Sequence, residues 1–499
     1  MLAYLFISIF MKTKTIFIFL SIVYSISSIA QNTSTLDSIY AIQSPNYTKK
    51  QPWKAAWQTF SINAGIWAFD RYVLQADFAK ISFNTIKENL KTGFVWDNDQ
   101  FSTNLFAHPY HGNLYFNTAR SNGLNFWEST PYAFSGSLMW EIVAENEPPS
   151  MNDLIATTIG GIALGEFTYR MSSLVLDDSK RGFPRFISEL LGTVISPIRG
   201  LNRMMNGDMW KVKYKHYKYH NYEDIPVYME ISSGNRYLAS HAQLFRGEHN
   251  PYLELRTIYG NPFNESTNQP YDNLTASITL GMSPNQPFIS HINLIGKLWG
   301  KTLKNTSQSN VMLGIFQHFN YYDSEEVKDE SGIIPYKISE AASVGVGMIS
   351  RFNDILPKIH LQQEFYFNGI LLGGVLTDYY HVIDRNYNLG SGYSFKSHTQ
   401  WEIGRLADIH LHYDLYQLFT WKGYDKRGIE SNNPLYYNTQ GDKGNTLFLV
   451  LNPVCNIRFA KYWRLSFELS YYYRHSHYSY HKSIHSHTVE TRLGVTYDF

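Results

Sequence analysis

The sequence predicts an all-β transmembrane barrel of about twelve antiparallel strands preceded by an α-helical domain. Three observations lead there: apolar and polar residues alternate with period two through the C-terminal half, a helical period precedes them, and an apolar leader opens the chain. Composition agrees, because 38 Tyr, 31 Phe and 11 Trp in 499 residues suit the aromatic girdles of a membrane barrel. The 43 Lys and Arg balance 42 Asp and Glu, which removes the electrostatic case for nucleic acid as a partner.

From Met11 the chain reads MKTKTIFIFLSIVYSISSIAQN. Lys12 and Lys14 give a basic n-region, an apolar core follows, and Ser28-Ile29-Ala30 is a small-x-small cleavage site before Gln31. Residues 1–30 are therefore expected to be a signal peptide, with Met11 as the true start. No later apolar run reaches the roughly 20 residues a spanning helix needs. No Cys follows the cleavage site to take a lipid, so the expected destination is the outer membrane. Cys455, the single cysteine, lacks a disulfide partner and is expected to be a small buried or lipid-facing apolar residue.

Residues 31–205 are the expected helical domain, periplasmic or associated with the barrel, with helices at 51–74, 131–145, 150–176 and 184–196. The third is marked most clearly. Ser150 and Asp153 make a capping box after Pro148-Pro149, and Thr157, Gly161 and Gly165 form a small-residue stripe that admits another backbone. Glu166 and Arg170 stand in the favoured i, i+4 order for an ion pair.

Residues 206–499 are the expected barrel, with its first strand near Pro226. In the last strand Val489, Thr491, Leu493, Val495, Tyr497 and Phe499 alternate with Thr488, Glu490, Arg492, Gly494, Thr496 and Asp498, which assigns the first set to lipid and the second to the lumen. Arg492-x-Gly494-x-x-Tyr497-x-Phe499 resembles the C-terminal β-signal of outer-membrane barrels, which implies the barrel-assembly machinery and outer-membrane lipid as partners. Trp463, Leu465, Phe467, Leu469, Tyr471 and Tyr473 repeat the pattern one strand earlier, and so do residues 359–367, 393–403 and 407–419. Turns near Gly404 and Ala460 are short and the connections 371–390 and 420–443 long, as sidedness requires. Residues 283–287 and 261–272 run against it, being short and long respectively.

The helical stretch also carries a family resemblance. His108-Pro109-Tyr110-His111-Gly112, Tyr115-Phe116-Asn117, Ala119-Arg120-Ser121-Asn122-Gly123 and Trp127-Glu128-Ser129 recur in order with Trp140-Glu141, Asn152-Asp153-Leu154, Gly160-Gly161, Gly165-Glu166 and Tyr169-Arg170. Together they resemble an uncharacterised family of outer-membrane proteins known only as domain of unknown function 3943. The resemblance implies an envelope location and assigns no activity.

Three clusters are candidates for chemistry. His108 and His111 flank a proline turn, with Glu128, Glu141 and Glu145 nearby in sequence; a metal site is possible chemistry, and carboxylates pairing Arg120 or Arg170 between helices are the favoured reading. Asp408, His410, His412 and Asp414 share one luminal face, and a turn at Gly404-Arg405-Leu406 sets Glu402 against Asp408, His398 against His412 and Lys396 against Asp414. Ordinary polar lining is the favoured reading there, a cation site the alternative.

In the last hairpin, pairing Trp463 with Phe499 and Tyr473 with Val489 sets His475 opposite His487 and His477 opposite His485, four imidazoles at the outer rim that could take Zn²⁺ or Cu²⁺. His477 and Ser479 are also spaced as base and nucleophile, and faintly resemble the His-x-Ser of outer-membrane lipid A deacylases, from which Tyr480 departs. The function expected is a non-enzymatic barrel serving transport, anchoring or envelope upkeep without a cofactor, with a lipid-modifying hydrolase as the alternative.

Overall fold

The structure, a computed structural model, describes residues 50–96, 99–212, 226–240, 245–264, 268–327, 332–379, 385–424 and 440–499. The leader expected at residues 1–30, with Met11 as its start, lies outside the described residues. The chain divides into two compact units, a helical unit containing Phe106–Ile225 and a barrel unit of Pro226–Phe499 together with Asn98–Leu105.

The helical unit contains α1 (Pro52–Tyr72), α2 (Phe83–Thr92), α3 (His108–Arg120), α4 (Phe126–Met139), α5 (Met151–Ile155), α6 (Gly161–Val175), α7 (Gly182–Ile195) and α8 (Pro197–Met205). Five-residue π-helical turns lead out of α4 (Trp140–Ala144) and join α5 to α6 (Ala156–Gly160), so the helix expected at 150–176 is continuous but rephased. The proline turn expected at His108–Gly112 is instead helical: it opens α3 directly after the π-helical turn Thr103–Ala107, the kind of irregularity that admits a proline inside a continuous helical stretch. α4 begins before Pro131, capped by Asn125 and Glu128, whose side chains each accept the other's backbone N–H at 2.9 and 3.0 Å. At Ser150 only half of the expected box forms: Ser150 Oγ accepts from Asp153 N at 3.2 Å, while Glu141, not Asp153, accepts the Ser150 N–H at 2.7 Å.

The centre of this unit is the crossing of α3 and α6. A Cβ on Gly161 would lie 2.5 Å from the Gly112 Cα, and one on Gly165 2.7 Å from the Phe116 ring, so the small-residue stripe is what lets the two helices touch. Beside it Glu166 accepts from Arg120 at 2.7 and 3.0 Å and from Arg170 at 2.9 Å, all three buried.

The barrel strands are β1 (Val227–Ser240), β2 (Glu248–Tyr259), β3 (Leu274–Gly281), β4 (Ile289–Asn305), β5 (Ser309–Asp323) and β6 (Lys337–Leu356). They continue as β7 (Ile359–Leu376), β8 (Tyr387–Ile403), β9 (Ala407–Thr420), β10 (Gly444–Ala460), β11 (Trp463–Tyr478) and β12 (Ile484–Asp498). Each pairs antiparallel with its neighbours in sequence, and β1 pairs with β12 to close the barrel. Gly234 faces Gly494 across that seam, where a Cβ on Gly234 would sit 2.0 Å from the Leu493 carbonyl oxygen.

Alternation places Glu490, Arg492 and Thr496 in the buried interior while Leu493, Val495, Phe467 and Leu465 are exposed on the outer wall, the distribution lipid demands. Cys455, half-buried, pairs with Ile409 and Phe467 on that outer face. Short turns at 306–308, 357–358, 404–406 and 461–462 gather at the end holding both barrel termini. Longer connections such as 324–336 and 421–443 gather at the other, and with its apolar outer wall this chain is an outer-membrane barrel protein. The long connection at the turn end, 260–273, has a packing reason: Phe263 enters the bore and packs on Met312, Phe316, Ile349 and Tyr366. Residues 99–105 lie on the outer face of the wall near the loop end, where Phe101 packs on Tyr321 and Tyr387 and Asn104 Nδ2 donates to the Tyr387 hydroxyl at 2.8 Å.

Candidate functional site: the barrel lumen

Inward polar residues of a closed barrel must be satisfied by one another or by water. A polar cavity of ≈ 200 Å³ occupies the bore toward the turn end, lined by Arg256, Arg351, Glu364, His398, His412 and Glu468 among others. The expected β8–β9 pairing is present: Glu402 faces Asp408, His398 faces His412 and Lys396 faces Asp414. His410 Nε2 bonds Asp408 Oδ2 at 2.7 Å, His398 Nε2 bonds Asp414 Oδ1 at 2.8 Å, and the His398 and His412 rings lie 4.6 Å apart.

Cations are shared among several carboxylates. Arg492 reaches Glu490 at 2.5 Å, Glu254 at 2.7 Å and Glu468 at 3.5 Å, with His291 Nδ1 3.0 Å away. Arg464 bonds Glu230, Asp498 at 2.6 Å and Asp408 at 2.9 Å. Lys396 Nζ lies 2.6 Å from Glu340 and 3.2 Å from His318 Nδ1. These contacts tie strands that are not neighbours, so the bore is cross-braced by charge. Among the described residues no three His, Cys, Asp or Glu side chains are arranged to hold a metal ion.

Toward the loop end the bore changes character. Tyr322, Ile338, Ile370, Tyr416, Phe448 and Tyr472 form a buried apolar cluster, and Val327 and Tyr336 of the β5–β6 loop pack into it. That loop crosses to the far wall: Tyr336 stacks on Tyr472 at 4.7 Å and on His291 at 4.8 Å, and its hydroxyl accepts from Arg236 Nη1 at 3.1 Å. The Thr488 hydroxyl of β12 donates to the Pro335 carbonyl at 2.6 Å, which pins the loop to that wall, and within the loop the Ser324 hydroxyl accepts the Tyr336 N–H at 2.9 Å. A second crossing runs from the β7–β8 connection, where Asp378 binds both outer nitrogens of Arg474 at 2.6 Å and accepts from Tyr478 at 2.5 Å. Sequence reading missed this stopper. Its one sequence signal is Ile333-Ile334-Pro335-Tyr336, an apolar run inside an otherwise polar loop.

The rim histidines stand in a different register from the one expected. Trp463 faces Tyr497, Tyr473 faces His487 and His475 faces His485, two residues from the expected pairing. The cause lies at the chain end: Asp498 N donates to Tyr462 O and Phe499 N to Met229 O of β1, so Phe499 is not free to pair with Trp463. His475 stacks on His485 at 4.1 Å, while His487 bonds the Tyr471 hydroxyl at 2.5 Å and His477 Nδ1 contacts Ser483 Oγ at 3.0 Å. The four imidazoles therefore do not converge. Nor does His477 engage Ser479, whose N–H donates to the Lys443 carbonyl, and Glu490 faces the lumen and Arg492. The base–nucleophile arrangement is absent from this rim.

The family-motif residues of the helical unit contact one another across its elements. His108 Nε2 lies 3.5 Å from Asp153, and His111 bonds the Tyr115 hydroxyl at 2.7 Å with its ring edge-on to Trp140. Burial, helped by His108, pushes the His111 imidazole down to about 3. Glu128 caps α4, Glu141 holds the Ser150 N–H and Glu145 accepts from Trp140 Nε1 at 2.5 Å.

Residues 93–198 match the model of the family described as Domain of unknown function (DUF3943). No curated protein matches the chain. Among solved structures, the NanC porin is similar at 8% identity, covering 54% of this chain and 100% of that one with a TM-score of 0.26. The KdgM porin is 10% identical over 54% of this chain and 99% of its own, with a TM-score of 0.24. The outer membrane channel DcaP of Acinetobacter baumannii is 10% identical over 55% of this chain and 97% of its own, with a TM-score of 0.23.

Proposed function

We propose that this outer-membrane barrel is a non-enzymatic transport protein for small polar solutes, whose bore is gated by its own β5–β6 loop. The observation that supports the reading is the division of the lumen: a polar chamber on the turn side, stopped on the loop side by Pro335 and Tyr336 reaching the opposite wall. The chamber presents guanidinium groups from Arg256 and Arg351 and the carboxylates of Glu364 and Glu468, a mixed lining that suits hydroxylated or zwitterionic solutes over either ion type alone.

Single-channel recording tests it. The protein in planar lipid bilayers should pass little current, and a variant with residues 325–335 replaced by a Gly-Ser linker should conduct steadily. A linker variant that still migrates as a folded barrel yet conducts no better than the parent would overturn the reading.

A further inference from the structure

Three helices of the helical unit turn apolar rings outward and polar side chains inward. Water-soluble helices bury apolar residues and expose charge. On α7 the buried face carries Arg185, Ser188 and Glu189 beside Leu191 and Gly192, and the exposed face Phe183, Phe186, Leu190 and Val194. On α1 the buried residues are Ala55, Thr59, Asn63 and Asp70, while Trp53, Trp57 and Phe60 are exposed. The contrast is large: Trp57 and Phe183 are 66% and 72% exposed, Asn63 and Glu189 4% and 6%. α8 repeats it with Arg199, Asn202 and Arg203 inside and Leu201, Met204 and Met205 outside.

Buried charges of α7 and α8 are paired: Arg203 Nη2 lies 2.6 Å from both Asp178 and Glu189, and Arg185 Nη2 2.9 and 2.7 Å from the same pair. These faces also adjoin. Asn63 of α1 donates to the Gly136 carbonyl of α4 at 3.0 Å, Gln58 of α1 bonds Asn202 of α8, and Arg203 joins α8 to Glu189 of α7. The outward rings therefore belong to consecutive neighbours around one unit rather than to scattered helices.

We propose that this belt contacts the acyl chains of the bilayer. Polar and small residues at helix–helix contacts, ion pairs in the interior and uncharged rings outside are the arrangement lipid selects, because only the interior can satisfy charge there. The same chain forms a lipid-spanning barrel, so the protein is carried to a bilayer in any case. A second copy of the chain or a protein partner is the competing occupant, and the uncharged outer faces of α1 and α7 offer such a partner no ion pair to define a register. None of the described helices is long and apolar enough to cross a membrane, so the contact is lateral.

Spin labels decide the matter on the full chain in liposomes. With Cys455→Ser as background, labels at Phe60→Cys and Phe186→Cys should collide with dissolved oxygen several-fold more than with a water-soluble nickel chelate, and the exposed turn residue Asp77→Cys should show the reverse. Chelate-dominated collisions at 60 and 186 would place the belt in water, and exclusion of both reagents would place it under protein. Either result overturns the proposal, and so does lipid access at one site alone. Both labelled positions are exposed on separate helices, so a folding defect in one leaves the other to report.

Discussion

Tyr336 of the β5–β6 loop and Tyr472 of β11 stack with ring centroids 4.7 Å apart, across the bore from one wall to the other. Tyr336→Ala removes that stack, the His291 contact and the hydroxyl that Arg236 meets. Losing a buried ring costs about 3 kcal/mol, which raises the population of a rare open state about a hundredfold. Open-channel frequency in planar bilayers should increase accordingly, with the heat-modifiable gel shift of the folded barrel retained; an unchanged frequency would show that the ring does not hold the gate.

Arg464 is the cation shared by Glu230, Asp408 and Asp498. Arg464→Met leaves three carboxylates facing one another in a confined lumen and should destabilise the barrel by about 3–5 kcal/mol. Adding Asp408→Asn should restore part of the loss, and Asn456, which also donates to Asp408, can bond the new amide oxygen. Urea unfolding in detergent micelles measures both; additive losses would exclude the shared-charge account.

Gly161→Leu should damage the helical unit far more than Ile162→Leu. Gly161 meets the Gly112 backbone, whereas Ile162 is half-buried and has room. Overpacking against backbone costs about 1–3 kcal/mol or more. Protease digestion of the protein in outer-membrane vesicles should cut the first variant faster, and equal half-lives would contradict the close approach.

The depressed His111 imidazole gives the helical unit an acid-sensitive step. Its folded value of about 3 lies below the ordinary 6.5, so the unfolded chain binds the extra proton throughout that window. Stability from this group is present above pH 6.5 and is lost as pH falls toward 3. His111→Gln should flatten that part of the profile of helical-unit melting against pH, and a parallel profile in the variant would remove His111 as the cause.

Strand count and the β8–β9 pairing were legible because alternation marks the faces and Gly404-Arg405-Leu406 marks the turn, where Gly404 adopts a φ of 54°. The rim register was not, for a definite reason. A slip of one residue turns every side chain over, but a slip of two leaves each on its own face, so period two cannot distinguish Trp463 against Phe499 from Trp463 against Tyr497. Only the backbone bonds of Phe499 to β1 settle it. Helices α3 and α8 escaped because polar residues interrupt their buried faces, Asn113, Asn117 and Arg120 beside Tyr115 and Phe116 in one, and Arg199, Asn202 and Arg203 beside Ile198 in the other. The search for an apolar stripe looks past such helices. The luminal stopper depends on contacts between residues far apart in the chain, such as Tyr336 with Tyr472, which no local pattern encodes.

Because Pro335 and Tyr336 belong to the same chain as the wall they block, their hold on the bore does not weaken on dilution. A tethered occupant acts at an effective concentration on the order of millimolar. A solute that displaces the loop therefore competes with a fixed local rival, and tight binding to both arrangements gains it nothing; it must prefer the open one. Flux would then respond to external solute with a threshold set inside each molecule, the same for one copy in a vesicle as for thousands in a cell.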